Sequence, residues 1–236
     1  MPSSRLEEIR LKEKLYHDEF YENVKLFTQD TWLQKPVKTV MDTYELLTGK
    51  DNAQLLDLGC GVGRNSIPLA QRLEGNEGKV VCVDFLESAI RHLRVNAEQF
   101  GVADKLELIQ SDISELHINA GSYDYIISVS ALEHLDSISS FHRVLETLQH
   151  GTKEQGIHCF IINANVQETE IDTGIPLHPM FELLFRTEEL IRTLRDKYAD
   201  WTILRESAAR FSLEIQRDEK RVLLQSDVVT WIARKS

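Results

Sequence analysis

The chain has 236 residues, 42% of them hydrophobic and 28% charged, with eleven Gly and five Pro, which excludes disordered, collagen-like and low-complexity readings. Its net charge of -11 is concentrated in residues 51–150, where 15 acidic side chains stand against 7 basic ones. That sign opposes a phosphate backbone or an anionic membrane and favours a small-molecule partner, with no nucleic acid and no membrane expected.

From Ser4 the capping-box pattern Ser4-Arg5-Leu6-Glu7 opens a predicted amphipathic helical arm with Leu6, Ile9, Tyr16, Phe20, Val24 and Phe27 on one stripe. After a break near Gln29 to Gln34, a second helix is predicted from Pro36 to Leu47, ending at Gly49. From residue 53 the pattern becomes short apolar runs separated by helical stretches. Gln54–Leu58, Val80–Asp84, Leu106–Gln110, Tyr123–Val129 and Ile157–Asn163 read as strands; Asn65–Leu73, Leu86–Phe100 and Ile138–Gln149 read as helices. Such alternation predicts an α/β fold with a mostly parallel sheet and helices on both faces. A helix at Thr187–Tyr198 then precedes Trp201–Glu206, Arg210–Gln216, Val222–Gln225 and Val228–Ala233, with a turn at Arg217-Asp218-Glu219-Lys220, so a terminal antiparallel hairpin closes the sheet. Cys60, Cys82 and Cys159 are widely spaced, with no CxxC pair, no secretory leader and no apolar run of membrane-spanning length. These features predict a cytoplasmic protein.

The most informative stretch is Leu55-Leu56-Asp57-Leu58-Gly59-Cys60-Gly61-Val62-Gly63-Arg64-Asn65-Ser66. A strand runs into a glycine turn and then a helix, which sets backbone N–H groups beside whatever binds at the carboxyl edge of the sheet. The glycines are spaced G-x-G-x-G, without the third glycine of a dinucleotide fingerprint and without G-K-[ST]. Asp57 would repel phosphate but suits an ammonium group, and Asp84, closing the second strand, is placed to accept from two ribose hydroxyls. S-adenosylmethionine carries such a ribose, a sulfonium and an α-ammonium, and an acidic surround complements those charges. Asp112, after the third strand, is placed to accept from the adenine amino group while Ile113 supplies an N–H, with Phe85 and Ile113 on the purine faces. Arg64 and Asn65 are candidates for the cofactor carboxylate.

In their order, Asp57–Gly63, Asp84, Asp112 and Ser128–Leu135 resemble the motifs of class I S-adenosylmethionine-dependent methyltransferases, over roughly residues 50–235. The resemblance implies a Rossmann-like seven-stranded sheet, S-adenosyl-L-methionine as cofactor, and in-line methyl transfer to a small-molecule acceptor. Within that superfamily, Gly61-Val62-Gly63-Arg64-Asn65-Ser66, the Asp172-Thr173-Gly174-Ile175-Pro176 loop and the closing Ile232-Ala233-Arg234-Lys235 are similar to the tellurite-resistance TehB methyltransferases. That family carries a His-Arg pair on its last hairpin, thought to serve catalysis. The matching positions here are Gln216-Arg217, which makes Arg217 a candidate catalytic residue and puts tellurite as acceptor in question.

After the fourth strand, Ser128 and Glu133-His134 fall where class I enzymes place residues beside the methionine end, and His134 is a candidate to take a proton from an acceptor. Tyr16, Phe20, Tyr21, Trp32, Phe181 and Phe185 are candidates to line an acceptor pocket, although ordinary core positions account for many aromatics. Metal ligation is not expected, since the histidines form no HExxH or Cys/His cluster. Ser128-Val129-Ser130-Ala131 stands where amino-methylating DNA and glutamine enzymes carry a Pro-Pro-aromatic motif. The chain therefore divides into an arm or lid, residues 1–50, and a methyltransferase domain, residues 51–236. Three alternatives share parts of the pattern: a non-catalytic S-adenosylmethionine sensor or interaction module, a nicotinamide-dependent oxidoreductase, which the glycine spacing and Asp57 oppose, and an aminopropyl transferase. Neither the acceptor atom nor the oligomeric state is written in these motifs.

Overall fold

A computed structural model describes residues 5–47, 52–73, 77–217 and 220–236. Ser4 of the expected capping box, Gly49 and the Asp218-Glu219 turn lie outside the described residues. Helix α1 spans Arg5–Asn23 and α2 Lys38–Tyr44. The alternating part follows as β1 (Gln54–Leu58), α3 (Ser66–Ala70), β2 (Lys79–Asp84), α4 (Glu87–Gln99), β3 (Leu106–Gln110), β4 (Tyr123–Val129), α5 (Ile138–Gly151) and β5 (Thr152–Glu170). The chain then forms a two-residue β6 (Pro176–Leu177), α6 (Thr187–Lys197), β7 (Trp201–Arg217) and β8 (Lys220–Lys235).

The sheet order is β3-β2-β1-β4-β5-β8-β7, with β6 paired to β5. β1 to β5 pair with one another in parallel, whereas β6 runs antiparallel to β5 and β8 runs antiparallel between β5 and β7. This is the expected seven-stranded α/β sheet with a closing hairpin, to which β6 adds a short strand.

Alternation along the strands sorts the core into two layers. Leu56, Leu58, Ile126, Phe160, Ile162 and Trp231 face α5 and α6, while Leu55, Tyr125, Ile127, Ile157, Cys159 and Ile232 face α2, α3 and α4. Strands covered on both faces need apolar residues at nearly every position, which is why β1, β2 and β4 read as continuous hydrophobic runs. His158 belongs to this interior: its imidazole bonds Thr152 Oγ1 and Tyr198 Oη, each at 2.7 Å, and burial pushes it down to about 3.

Several boundaries differ from the sequence expectation. The first helix stops at Asn23, so Val24 and Phe27 lie beyond it; Phe27 adopts a φ of 65°, and its ring meets Phe100 edge-on at 5.4 Å. The amphipathic stripe is accordingly short: in α1 only Ile9 and Tyr21 are buried, and Leu11 and Leu15 are exposed. α3 is limited to Ser66–Ala70, with Pro68 in its first turn, where the missing N–H has no intrahelical partner to lose. β5 runs well past Asn163, and the four expected C-terminal runs merge into two long strands, with a register shift at Ile203/Arg205. Among the described residues no helix is long and apolar enough to cross a membrane, and no group of His, Cys, Asp or Glu is placed to hold a metal ion.

Candidate active site

The carboxyl ends of β1, β2 and β4 meet at the glycine turn. Gly59, Gly61 and Gly63 have φ of 68°, 53° and 97°, and a Cβ on Gly59 or Gly63 would come within 2.4 Å of Ala131 Cβ or Leu93 Cδ1. The turn is tied to β2: the amides of Gly59 and Cys60 donate to Val83 O, and that of Gly61 donates to Asp84 Oδ2 at 2.8 Å. Asp84 Oδ1 accepts from the Leu86 amide at 2.9 Å. Burial raises the Asp84 carboxyl above its ordinary range, against those two amide bonds.

Asp57, 1% exposed, accepts from Ser66 Oγ at 2.6 Å. Burial pushes it up to about 7; the Ser66 bond opposes this and the Asp84 charge adds to it. Against an ordinary 3.8, this protonated carboxyl contributes stability that is fully present below about pH 4 and is lost as the pH rises through 7, in all about 4 kcal/mol. Asp57→Asn is therefore expected to flatten the decline in unfolding free energy between pH 4 and 7, measured by urea titration; an unaltered slope would show that Asp57 titrates normally.

Asp112 caps the short turn Ile113–Glu115, its Oδ1 accepting from the Ser114 amide at 2.9 Å and from Ser114 Oγ at 2.7 Å. Ile113 packs partly buried against the core, and Phe85 is 50% exposed. Ser128, at the end of β4, is fully buried, and its Oγ has no partner. Arg64 and Asn65 commit their side chains elsewhere. Arg64 Nε donates to Lys35 O at 2.6 Å, with its guanidinium 6.0 Å from the Trp32 ring, and Asn65 Oδ1 accepts from the Val37 amide at 2.9 Å. Both hold the segment leading into α2.

α1 lies across this edge. Tyr21 Oη comes 3.1 Å from the position a Gly61 Cβ would take, and Tyr21 is buried with Leu33, Val62 and Ala89. Asp18 bonds Ser88, and Glu22 pairs with Arg91 at 2.5 Å, fastening α1 to α4. Arg5 reaches His178 Nδ1 and Pro179 O at 2.8 and 2.9 Å.

His134 and Arg217 sit in one network. His134 Nδ1 is 2.8 Å from Glu182 Oε2, and its ring stacks on Phe181 at 5.1 Å. Arg217 binds Glu168 with Nε (3.0 Å) and Nη2 (2.9 Å) and Glu13 with Nη1 (3.1 Å). Glu13 feels both charges: burial alone would raise its carboxyl, but the bond from His17 and the charges of His134, His17 and Arg217 bring it down to about 2. His134 is raised to about 9; burial works against the charge and is outweighed by the Glu182 bond and by the charges of Glu133, Glu182 and Glu13. At neutral pH it is an imidazolium and donates protons.

Sequence reasoning missed Arg10, Glu13, Glu168 and Glu182. Glu182 stands 48 residues from His134, and Glu13 stands 204 from Arg217. The i,i+4 spacing of Glu13 and His17 was the one local signal available. Of the candidate aromatics, Phe185 packs against Phe141 in the core, whereas Tyr16, Phe20 and Trp32 stack in series beside His17.

Residues 55–169 match the family described as "Methyltransferase domain". The fold is that of solved S-adenosylmethionine-dependent methyltransferases. Among solved structures the fold is similar to TehB from Haemophilus influenzae, with a TM-score of 0.65 at 22% identity over 93% of this chain and 67% of that one. Among curated proteins, a ubiquinone biosynthesis O-methyltransferase of Rickettsia canadensis is 35% identical over 104 residues, 44% of this chain and 40% of that protein. A carboxy-S-adenosyl-L-methionine synthase of a Shewanella species (strain ANA-3) is 30% identical over 73 residues, 31% of this chain and 30% of that protein. The chain thus spans well under half the length of these two relatives.

Proposed function

We propose that the protein transfers a methyl group from S-adenosylmethionine to a small-molecule acceptor, with residues 1–50 forming an arm over a catalytic domain of residues 51–236. The observation that carries this reading is the row of acids along the carboxyl edge, with Asp84 locked to the Gly61 amide between Asp57 and Asp112. The residues suit the cofactor: the buried Ser128 Oγ at the end of β4 has no partner, and Asp57, bonded to Ser66 Oγ, stands on the neighbouring strand β1. In this reading Asp57, Gly59, Gly61, Gly63 and Ser128 hold the methionine portion, with Arg64 and Asn65 bracing the segment above it. Asp84 takes the ribose, and Asp112, Phe85 and Ile113 take the adenine.

When bound, S-adenosylmethionine supplies a sulfonium methyl that a nucleophile attacks in line. The protein's own contribution is alignment and the exclusion of water. His134 and Arg217 are the catalytic candidates on the acceptor side. As cations they orient and steady an oxygen that is already ionised, rather than deprotonating it. The similarity to a ubiquinone biosynthesis O-methyltransferase supports a small molecule as acceptor.

Calorimetric titration tests this. The wild type is expected to bind S-adenosylmethionine and S-adenosylhomocysteine in preference to NADH. Asp84→Ala should weaken both about ten- to a hundredfold, since hydrogen bonds to a charged acceptor contribute about 1.5–3 kcal/mol. Unchanged affinity would remove Asp84 from the site. Binding without S-adenosylhomocysteine release from a metabolite extract would point instead to a sensor.

A further inference from the structure

One side chain of α1 occupies two of the three residues assigned above to the adenine. The Arg10 guanidinium carbon lies 5.4 Å from the centroid of the Phe85 ring, and Nη2 donates to Asp112 Oδ2 at 3.0 Å. On its other side Nε is 4.0 Å from Glu182 Oε1. A guanidinium is flat, has a π face and carries N–H donors on its rim. Those are the features by which an aminopurine would be held here, with its face on an aromatic ring and its exocyclic N–H on a carboxylate. Asp112 Oδ1 already accepts two bonds from Ser114, so Oδ2 is the oxygen facing a ligand, and Arg10 holds it.

We infer that Arg10 is a built-in competitor for the adenine of S-adenosylmethionine. Cofactor binding requires Arg10 to give up both Phe85 and Asp112, and α1 cannot keep that contact with adenine in place. The inference rests on the methyltransferase reading of the same site. The exchange is close to balanced, because the two occupants offer Phe85 a stacked face and Asp112 a donor. The pair is partly exposed, at 30% and 18% for the two side chains, which permits release without unfolding. The apparent affinity for the cofactor is then lowered by the fraction of molecules with Arg10 docked. Probes containing adenine should feel this fraction and probes lacking it should not.

The test is calorimetry of the full-length protein with S-adenosylhomocysteine, adenosine and methionine. Arg10→Ala suits the purpose because alanine keeps α1 helical. It is expected to bind S-adenosylhomocysteine and adenosine about five- to tenfold tighter than the wild type, the range set by one cation–π contact and one partly exposed ion pair. Methionine affinity should stay unchanged. Arg10→Gln, which keeps a planar donor but loses the charge, should fall between the two. Equal or weaker binding of S-adenosylhomocysteine by Arg10→Ala would overturn the inference, weaker binding meaning that Arg10 clamps the adenine instead. A uniform gain that includes methionine would also overturn it. If the wild type binds neither S-adenosylhomocysteine nor adenosine, the methyltransferase reading itself fails, an outcome distinct from wild-type binding that Arg10→Ala does not improve.

Discussion

Arg217→Ala is expected to destabilise the protein by about 3–5 kcal/mol, a large fraction of the stability of a domain this size. Its main partner, Glu168, has a side chain only 1% exposed and receives two of the three bonds Arg217 makes. Glu168 otherwise accepts from the Met180 amide at 3.2 Å, too little to hold a bare carboxylate away from water. Glu13 would lose one of its cations in the same step. The single variant therefore reports on folding before it reports on catalysis. Pairing Arg217→Met with Glu168→Gln removes both charges, should recover most of the loss, and leaves a folded protein in which methyl transfer can be measured. Urea unfolding decides it: a loss below about 1 kcal/mol for Arg217→Ala would mean that the pair is solvated.

The second large effect is at Gly59. A methyl group there would sit 2.4 Å from Ala131 Cβ, which the backbone fixes in place, and the φ of 68° adds left-handed strain. Gly59→Ala should cost about 3 kcal/mol or more and abolish cofactor binding, because relief of the clash must move either the turn or the end of β4. Gly101→Ala is the control. Gly101 shares that φ but has nothing within 4 Å, so strain alone should cost about 1 kcal/mol and leave ligand affinity as it was. Similar losses in both variants would show that backbone strain, and not the close approach to Ala131, makes Gly59 necessary.

What could be read from the sequence was local. β1, β2, β3 and β4 lie within a residue of their expected bounds; for β1, β2 and β4 the reason is that strands buried on both faces must be apolar, whereas β3 is a half-exposed edge strand whose short apolar run ends at Gln110. The glycine turn was legible because its positive φ angles and close contacts exclude side chains. β7 was split in the sequence reading because Ser207-Ala208-Ala209 has little strand propensity; pairing with Thr230, Val229 and Val228 of β8 supplies what propensity lacks. The extension of β5 through Gln167, Glu168 and Glu170 was hidden for a related reason: its polar residues satisfy partners far along the chain, Arg217 and Lys220 among them. Charge pairs such as Arg10–Asp112 leave no periodic trace, since nothing in the order of residues records which carboxylate a distant cation will meet.

α1 touches residues that follow it by a long stretch of chain. Its partners include Asp112, Glu182 and, 204 residues on, Arg217. During synthesis the helix leaves the ribosome before these partners and waits for surfaces not yet made. With two buried residues of its own, Ile9 and Tyr21, it has little reason to collapse on itself in the interval. The sheet must form, and the last two strands must pair, before Glu13 meets its arginine. The carboxyl edge is thus completed at the end of folding, and a nascent chain lacking β7 and β8 would hold Asp57, Asp84 and Asp112 without Arg217, the cation that Glu13 and Glu168 share.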